Sequence, residues 1–226
     1  MRPPVANLDL LVMVVAVADP APHLQVLDNL IAVAESRGIE PILVINKTDL
    51  AAGDDLVTLY RAAGFTALSV CAKLPETLAP LRKILSGKVA AFTGNSGVGK
   101  SSILNALEPS LTLETGEISK HLGRGRHTTR CATLFRIGDG YMVDTPGFSS
   151  LNMDMVGEEL TCDNLFFCFR EFAPYFGKCR FGTCTHTREP NCAVRAAVEV
   201  GKIAPSRYAS YTVLYGQLKG RKEWET

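Results

Sequence analysis

Residues Val89–Ser102 decide how this chain folds, and they read Val-Ala-Ala-Phe-Thr-Gly-Asn-Ser-Gly-Val-Gly-Lys-Ser-Ser. Their β-branched and aromatic first part predicts a strand that ends at Gly94, and residues 102–107 predict the first turns of a helix. Glycines spaced as G-x-x-x-x-G-K-S between a strand and a helix let backbone N–H groups surround a phosphate chain. The stretch therefore predicts a phosphate-binding loop, the alternative being a glycine-rich turn with a surface lysine.

Every residue of this loop is a candidate for contact with a nucleotide. Lys100 is expected to reach the β- and γ-phosphates, and the Ser101 hydroxyl is expected to bind Mg²⁺. The predicted nucleotide contacts in the loop are Gly94, Asn95, Ser96, Gly97, Val98, Gly99, Lys100, Ser101 and Ser102. The loop begins almost halfway along a chain of 226 residues, which is unusual for a motif of this kind.

The composition predicts a cytoplasmic globular protein. Hydrophobic residues make up 46% of the chain, enough to bury the core of one domain and a smaller second one. The longest apolar run, Leu8–Ala18, fits a buried strand better than a membrane span or a secretory signal. A formal net charge of +1 means that any nucleic-acid surface must be a local patch.

Strands and helices alternate along the first half of the chain. Apolar runs predict strands at residues 8–18, 41–45, 65–70 and 89–93. Helical spacing predicts helices at residues 24–37, 54–63, 75–85 and 101–107. This order predicts an α/β fold, with a mostly parallel sheet flanked by helices and ligands beyond the carboxyl ends of its strands.

The second half of the chain changes character. A long polar loop at residues 108–130 is followed by two predicted strands at 131–137 and 140–143. From residue 161 aromatic residues and then cysteines accumulate, and two further helices are predicted. We therefore expect a nucleotide-binding domain at residues 1–155 and a small helical zinc-binding domain at residues 156–226.

The residues after the second predicted strand read Asn46-Lys-Thr-Asp49, a pattern that suits guanine. A carboxylate has two acceptor oxygens, and guanine presents N1–H and its exocyclic amino group as paired donors. Adenine lacks this donor pair, so Asp49 would be left unpaired against it. Asn46 is expected to connect the strand end to the phosphate-binding loop, and the stem of Lys47 is expected to cover one face of the base.

Two further strings follow predicted strands. Cys71, Ala72 and Lys73 are expected to offer a backbone N–H to the guanine oxygen, and the cysteine is a mild departure from the usual serine because that contact comes mainly from the backbone. Asp144-Thr-Pro-Gly147 is expected to hold Mg²⁺ through Asp144 and to sense the γ-phosphate through the Gly147 N–H. The base-reading strings precede the phosphate-binding loop, which is the reverse of the usual GTPase order and indicates a circular permutation.

With this order of motifs the sequence resembles the RsgA (YjeQ) family of circularly permuted GTPases. The resemblance runs from residue 8 to about residue 218 and rests on the strings above, on Gly125-Arg-His-Thr-Thr129, and on the cysteine and histidine cluster below. It implies a P-loop NTPase fold and a GTPase that couples its cycle to binding and late maturation of the small ribosomal subunit. Such proteins usually carry an N-terminal OB-fold, and Met1 stands about where that module would end. Either this sequence is a piece of a longer protein or this member of the family lacks the module.

The residue that positions the attacking water is not obvious from the sequence. Many GTPases have a glutamine directly after the DxxG string, but Phe148 stands there in this chain. The resemblance favours His127 instead, because an imidazole can hold or relay a proton near neutral pH; a solvated loop histidine is the alternative. The predicted catalytic residues are His127, Thr129, Lys100 and Gly147. The predicted magnesium ligands are Ser101, Asp144 and Thr129, with Thr128 as the alternative to Thr129.

A cluster near the C-terminus has the spacing C-x4-C-x-H-x5-C, and its members are Cys179, Cys184, His186 and Cys192. Three thiolates and one imidazole suit a closed tetrahedral zinc site, which has a structural role because no coordination position stays open. Metal binding would supply much of the folding free energy of so small a segment. Buried free cysteines are the alternative, and this is how we interpret Cys71, Cys131, Cys162 and Cys168.

The polar loop carries a local positive charge despite the neutral total, from Lys120, Arg124, Arg126 and Arg130. The charges could meet the nucleotide alone, but the resemblance favours rRNA phosphates as their partner. We predict a monomer without a membrane partner. Two other functions stay open, a GTP-gated rRNA-binding module with little intrinsic hydrolysis and a P-loop kinase or ATPase with an accidental NKTD string.

Overall fold

A computed structural model of the chain describes residues 7–111, 133–144 and 159–222. The strands are β1 (Leu10–Ala16), β2 (Glu40–Asn46), β3 (Thr66–Ser69), β4 (Val89–Thr93), β5 (Thr133–Ile137) and β6 (Gly140–Asp144). The α-helices are α1 (Leu24–Ser36), α2 (Asp54–Ala62), α3 (Ala79–Leu85), α4 (Lys100–Leu107), α5 (Ala193–Glu199) and α6 (Pro205–Lys222). Short 3₁₀ helices cover Pro75–Leu78, Pro109–Leu111, Leu165–Cys168 and Arg170–Tyr175.

The six strands form one sheet in the order β3-β2-β1-β4-β6-β5. All neighbouring strands are parallel except β5, which pairs antiparallel with β6. In β1, Val12 pairs with Ile42 of β2 on one side and with Phe92 of β4 on the other. The valine-rich run of β1 is buried because a strand inside a parallel sheet is covered on both faces. The predicted α/β fold with a mostly parallel sheet is confirmed.

The chain divides into two compact units. The first consists of residues 1–22, 39–61 and 65–155, and the second of residues 23–38, 62–64 and 156–226. The boundary that the sequence predicts between residues 155 and 156 lies outside the described residues.

In the first unit, α3 and α4 cover one face of the sheet. Alternate residues of a strand share a face, and the residues of β1 in this core are Leu10, Val12, Val14 and Ala16. The helices contribute Leu81 and Leu85 from α3 and Ile103, Leu104 and Leu107 from α4. This packing fixes the start of α4 against the sheet, directly after the phosphate-binding loop.

The second unit is built around the C-terminal aromatic segment and includes α1. Its core joins Ala32 and Val33 of α1 to side chains of the 3₁₀ helices, α5 and α6. Large members of this core include Leu165, Phe166, Phe169, Phe172, Tyr211, Leu214 and Leu218. Helical periodicity in the sequence predicts that α1 has a buried face, and the structure places that face among the C-terminal residues.

One buried arginine connects three parts of the second unit. Arg207 of α6 is 1% exposed, and its guanidinium donates to Asp28 of α1 at 2.7 Å and to Glu171 at 2.7 Å. The same group lies 4.6 Å from the centre of the Phe169 ring. A buried cation is tolerated when it is paired and fully hydrogen-bonded, so these contacts hold α1, α6 and the aromatic segment in one arrangement.

Within the described ranges, no helix combines the length and the apolar character needed to cross a membrane.

Candidate nucleotide-binding site and metal centre

The predicted nucleotide contacts lie at the carboxyl edge of the parallel sheet. Asn46 is the last residue of β2, Gly94 directly follows β4, and Asp144 is the last residue of β6. Cys71 comes two residues after the end of β3. Because the parallel strands all end at one edge, the topology brings these segments together despite their separation in sequence.

Asn46 joins two of these segments directly. Its side chain is buried, with 2% of the residue exposed. The amide nitrogen donates to the Val98 carbonyl oxygen at 2.9 Å, and the amide oxygen accepts from the Ala72 N–H at 3.1 Å. One side chain therefore connects the end of β2 to the phosphate-binding loop and to the segment after β3.

The phosphate-binding loop approaches its neighbours too closely for larger residues. Gly94, Gly97 and Gly99 all have positive φ angles, of 149°, 81° and 94°. A Cβ on Gly99 would collide with the amide nitrogen of Asn46, and one on Gly94 would collide with the Val14 carbonyl oxygen. Glycine is needed at both positions because any side chain would push the loop away from the sheet.

The remaining loop residues surround the start of α4. Lys100 begins the helix, and its ammonium group donates to the carbonyl oxygens of Gly94 at 2.6 Å and Asn95 at 2.8 Å. Burial lowers the pKa of Lys100. Ser101 is buried in the first turn of α4, followed by Ser102, and Ser96 lies within the loop. The arrangement places a cation and a hydroxyl beside the backbone N–H groups of a helix N-terminus, the combination that binds phosphate.

Asp49 has a donor on each carboxylate oxygen. Lys73 Nζ lies 2.6 Å from Oδ2, and the Cys71 thiol donates to Oδ1 at 3.4 Å. The hydrogen bond from Lys73 lowers the pKa of Asp49, and the same bond raises the pKa of Lys73. The carboxylate is thus ionised and accepts two donors side by side, which is the pattern that the N1–H and amino group of guanine would present.

Some contacts of this site could not be anticipated from the sequence. Cys71 was expected to act through its backbone, but its thiol also orients Asp49. The hydroxyl of Thr77 accepts from the Cys71 N–H at 3.0 Å and holds the turn after β3. Lys47 has a φ of 63° and its ammonium group donates to the Asp19 carbonyl oxygen. The only sequence signal for Thr77 is that threonine is common where side chains bond to nearby backbone, which does not single it out.

Several predicted residues fall outside the described part of the chain, namely His127, Thr128, Thr129 and Gly147. Asp144 is described as the last residue of β6, one position after the pairing of Val143 with Ala91 of β4. Its backbone therefore lies at the level of the end of β4, next to the start of the phosphate-binding loop.

The four predicted zinc ligands come together in the second unit. The ligand atoms of Cys179, Cys184, His186 and Cys192 all lie within 4.8 Å of one another. His186 Nδ1 lies 3.5 Å from Cys179 Sγ and 3.4 Å from Cys192 Sγ, so this ring nitrogen faces the cluster. Burial raises the pKa of the Cys184 thiol, and a bound cation would offset this effect by stabilising the thiolate. Three sulfurs and one imidazole nitrogen at these distances form a group that could hold one metal ion.

The loop between these ligands is folded around Glu189. This carboxylate accepts the backbone N–H groups of Thr185 at 2.9 Å, Thr187 at 3.1 Å and Arg188 at 3.1 Å. It also accepts the Thr185 hydroxyl at 2.5 Å. Burial favours the protonated carboxyl, but the hydrogen bonds from Thr185 outweigh it and lower the pKa of Glu189 to about 2. Glu189 cannot be singled out from the sequence, because an acidic residue near a cysteine cluster is common on any surface.

Two tyrosines of α6 support the same loop. Tyr208 donates to the His186 carbonyl oxygen at 2.9 Å, and Tyr211 donates to the Thr185 carbonyl oxygen at 3.0 Å. The loop is therefore held on both sides: its N–H groups donate to Glu189, and its carbonyl groups accept from the tyrosines of α6.

Of the cysteines expected in the core, Cys71 and Cys168 are buried and Cys162 is half-buried, while Cys131 lies outside the described residues.

Comparison with known proteins agrees with this geometry. A model of the RsgA GTPase family matches residues 1–154. A protein of Alkaliphilus metalliredigens named small ribosomal subunit biogenesis GTPase RsgA is 40% identical over 228 residues, which cover 99% of this chain and 77% of that protein. The protein of the same name from Geobacillus thermodenitrificans is 42% identical, with coverages of 98% and 76%.

Solved structures give the same result. The crystal structure of YjeQ from Thermotoga maritima superposes with a TM-score of 0.77 at 35% identity, covering 96% of this chain and 73% of that one. The structure of YloQ, described as a circularly permuted GTPase, has a TM-score of 0.77 at 31% identity and covers 97% of this chain and 71% of that one. The permuted order of motifs is thus shared with a solved structure, and this chain belongs to the RsgA GTPase family.

Proposed function

We propose that this chain hydrolyses GTP to GDP and phosphate and couples that cycle to binding and late maturation of the small ribosomal subunit. The observation that carries the proposal is the position of Asn46, whose amide joins the segment suited to guanine to the loop suited to phosphates. The proposed role in maturation of the small ribosomal subunit is supported by the relatives named small ribosomal subunit biogenesis GTPase, which are 40% and 42% identical to this chain.

Guanine would be read at Asp49. Its carboxylate would exchange the ammonium group of Lys73 and the thiol of Cys71 for the two N–H donors of the base. The Ala72 N–H already donates to Asn46, so the neighbouring N–H of Lys73 is the better candidate for the guanine oxygen. Adenine would leave an ionised carboxylate facing an acceptor, which is unfavourable once the bound base covers that carboxylate.

The phosphates would lie against the loop from Gly94 to Ser102. Lys100 would turn its ammonium group from the loop carbonyls to the β- and γ-phosphates. Ser101, Asp144 and Thr129 would hold Mg²⁺, which accepts oxygen ligands and neutralises charge on the phosphate oxygens. Two observations fit this ion: the buried hydroxyl of Ser101 at the helix start and the position of Asp144 at the end of β6.

For hydrolysis, a water oxygen attacks the γ-phosphorus and the bond to the β-phosphate oxygen breaks, leaving GDP and inorganic phosphate. We assign His127 to hold the water and relay its proton, because Phe148 cannot do so. Lys100 would neutralise the charge that develops on the leaving oxygen, and the Gly147 N–H would bind the γ-phosphate.

A second candidate function is a GTP-gated rRNA-binding module with little hydrolysis of its own. It is favoured by Phe148, which stands where many GTPases have the glutamine that orients water. In that case the bound nucleotide would determine when the protein binds the ribosomal subunit, and the rate of GTP hydrolysis would matter less.

The metal of the second unit is proposed to be a structural Zn²⁺. The ligands would be the thiolates of Cys179, Cys184 and Cys192 and the Nδ1 nitrogen of His186, a soft donor set that suits zinc. Because all four positions are taken by protein, the ion would stabilise the loop rather than catalyse a reaction. We further propose that the protein acts in the cytoplasm, where small subunits are assembled.

We predict that Asp49→Asn exchanges the preferred base. An amide offers one acceptor and one donor, so GTP should lose roughly 100-fold in affinity, while xanthosine triphosphate, with an oxygen in place of the amino group, should gain. Competition against a fluorescent nucleotide measures both affinities. Asp139→Asn, in the exposed turn between β5 and β6, is the matched control. Unchanged GTP affinity in Asp49→Asn would refute base reading by this residue.

We predict that His127→Ala slows chemistry without weakening GTP binding. Loss of a group that positions water and relays its proton should reduce the single-turnover rate about 100-fold or more at saturating small subunits. His121→Ala, in the same polar loop, should keep the wild-type rate. A wild-type rate in His127→Ala would remove this residue from the mechanism.

We predict that Glu189→Ala weakens zinc binding by about 10- to 100-fold, because the loop that carries Cys184 and His186 loses the acceptor of its N–H groups. Competition with a chromogenic chelator measures the affinity. Glu199→Ala, at the exposed end of α5, is the control for lost charge. If Glu189→Ala holds zinc as tightly as Glu199→Ala does, the loop does not depend on this carboxylate.

A further inference from the structure

Three phenylalanines of the second unit are exposed to solvent. Phe167, Phe176 and Phe181 are 61%, 67% and 44% exposed, and all three line one cavity of about 380 Å³. The ring centres of Phe167 and Phe176 lie 5.5 Å apart. We call these three side chains and the space between them the aromatic cradle. Large apolar side chains clustered in the open indicate a surface that binds a partner.

The aromatic cradle packs on a buried ring that lies next to one of the proposed zinc ligands. Phe166 is buried, and its ring centre lies 5.3 Å from that of Phe167, 5.9 Å from that of Phe176 and 4.9 Å from that of His186. Cys184 and His186 also line the floor of the cavity. The two outer rings are therefore held by a buried ring that itself packs on a metal ligand, so their spacing is set before a partner arrives.

Positive and negative side chains occupy different places around the aromatic cradle. Lys178 and Arg180 are both exposed, and the Arg180 guanidinium lies 5.6 Å from the centre of the Phe181 ring. Lys178 stands in the chain between Gly177 and Cys179, which line the cavity. In the parts of the chain that the structure describes, neither cation has a carboxylate partner. Asp163, in contrast, lines the cavity itself. A carboxylate inside would repel a phosphate, whereas the cations outside would attract one.

We propose that the aromatic cradle binds an unpaired base of single-stranded RNA, with the flanking phosphates on Lys178 and Arg180. Unstacked bases bind between aromatic side chains, and backbone phosphates bind to neighbouring cations. The base would enter the cavity because it is flat, uncharged and able to donate an N–H group to Asp163. The proposal rests on the proposed function only in taking the RNA to be that of the ribosomal subunit.

The test compares the binding of two RNAs to the metal-loaded chain of 226 residues. One is a labelled 12-nucleotide single strand of mixed sequence, and the other is the same strand with abasic sites, which keeps the phosphates and removes the bases. The first should bind at least about fivefold more tightly, since stacking of one base has this effect or more. Phe167→Ala/Phe176→Ala should abolish the difference, and Phe167→Tyr/Phe176→Tyr should keep it.

Two further variants separate the base from the phosphates. Lys178→Ala/Arg180→Ala should weaken both RNAs alike and make binding less dependent on salt. Val213→Ala, at an exposed apolar residue of α6, should change nothing. Zinc content and melting temperature, measured on every variant, show whether the unit still folds.

Equal affinity of the wild-type chain for the two RNAs would overturn the proposal. It would equally be overturned if Phe167→Ala/Phe176→Ala kept its RNA affinity but lost binding to protein-only fractions of the small subunit, because the cradle would then bind protein. GTP turnover is measured separately, so a failure of the cradle can be told from a failure of the proposed GTPase function.

Discussion

The candidate nucleotide site depends on the two hydrogen bonds of the Asn46 side chain. They connect the end of β2 to the Val98 carbonyl of the phosphate-binding loop and to the Ala72 N–H after β3. The residue is buried, so loss of either partner would leave a polar group unsatisfied, at a cost of about 1–3 kcal/mol. Gly99 must be a glycine for the same reason, because a Cβ there would occupy the place of the amide.

This constraint explains how the site tolerates a permuted chain. The edge of a parallel sheet gathers strand ends regardless of the order in which the chain visits them, and Asn46 then fixes the loops relative to one another. Side chains have a similar role in the second unit. Arg207 connects segments that are distant in sequence, and Glu189 holds a loop that has no regular secondary structure. In both units, a side chain with several hydrogen bonds fixes backbone that has no regular structure of its own.

The sequence predicts regular elements and motif chemistry well. A continuous apolar run such as that of β1 predicts a buried strand. The spacing of residues around Lys100 predicts a phosphate-binding loop, and the spacing around Cys179 predicts a metal site. The sequence does not reveal which segments pack against one another. Periodicity shows that α1 has a buried face, but not that this face packs on the C-terminal aromatic residues. The thiol of Cys71 on Asp49 and the loop around Glu189 likewise depend on local geometry that no residue pattern specifies.

This chain is a GTPase, and we propose that the small ribosomal subunit raises its turnover. The most direct measurement is the steady-state rate of GTP hydrolysis by the wild-type chain, with and without purified small subunits. We predict that the chain alone turns over slowly and that saturating subunits raise the rate at least about 10-fold, because a bound partner can order the catalytic segments. A rate unchanged by subunits that bind the GTP form would contradict it and favour the GTP-gated binding module.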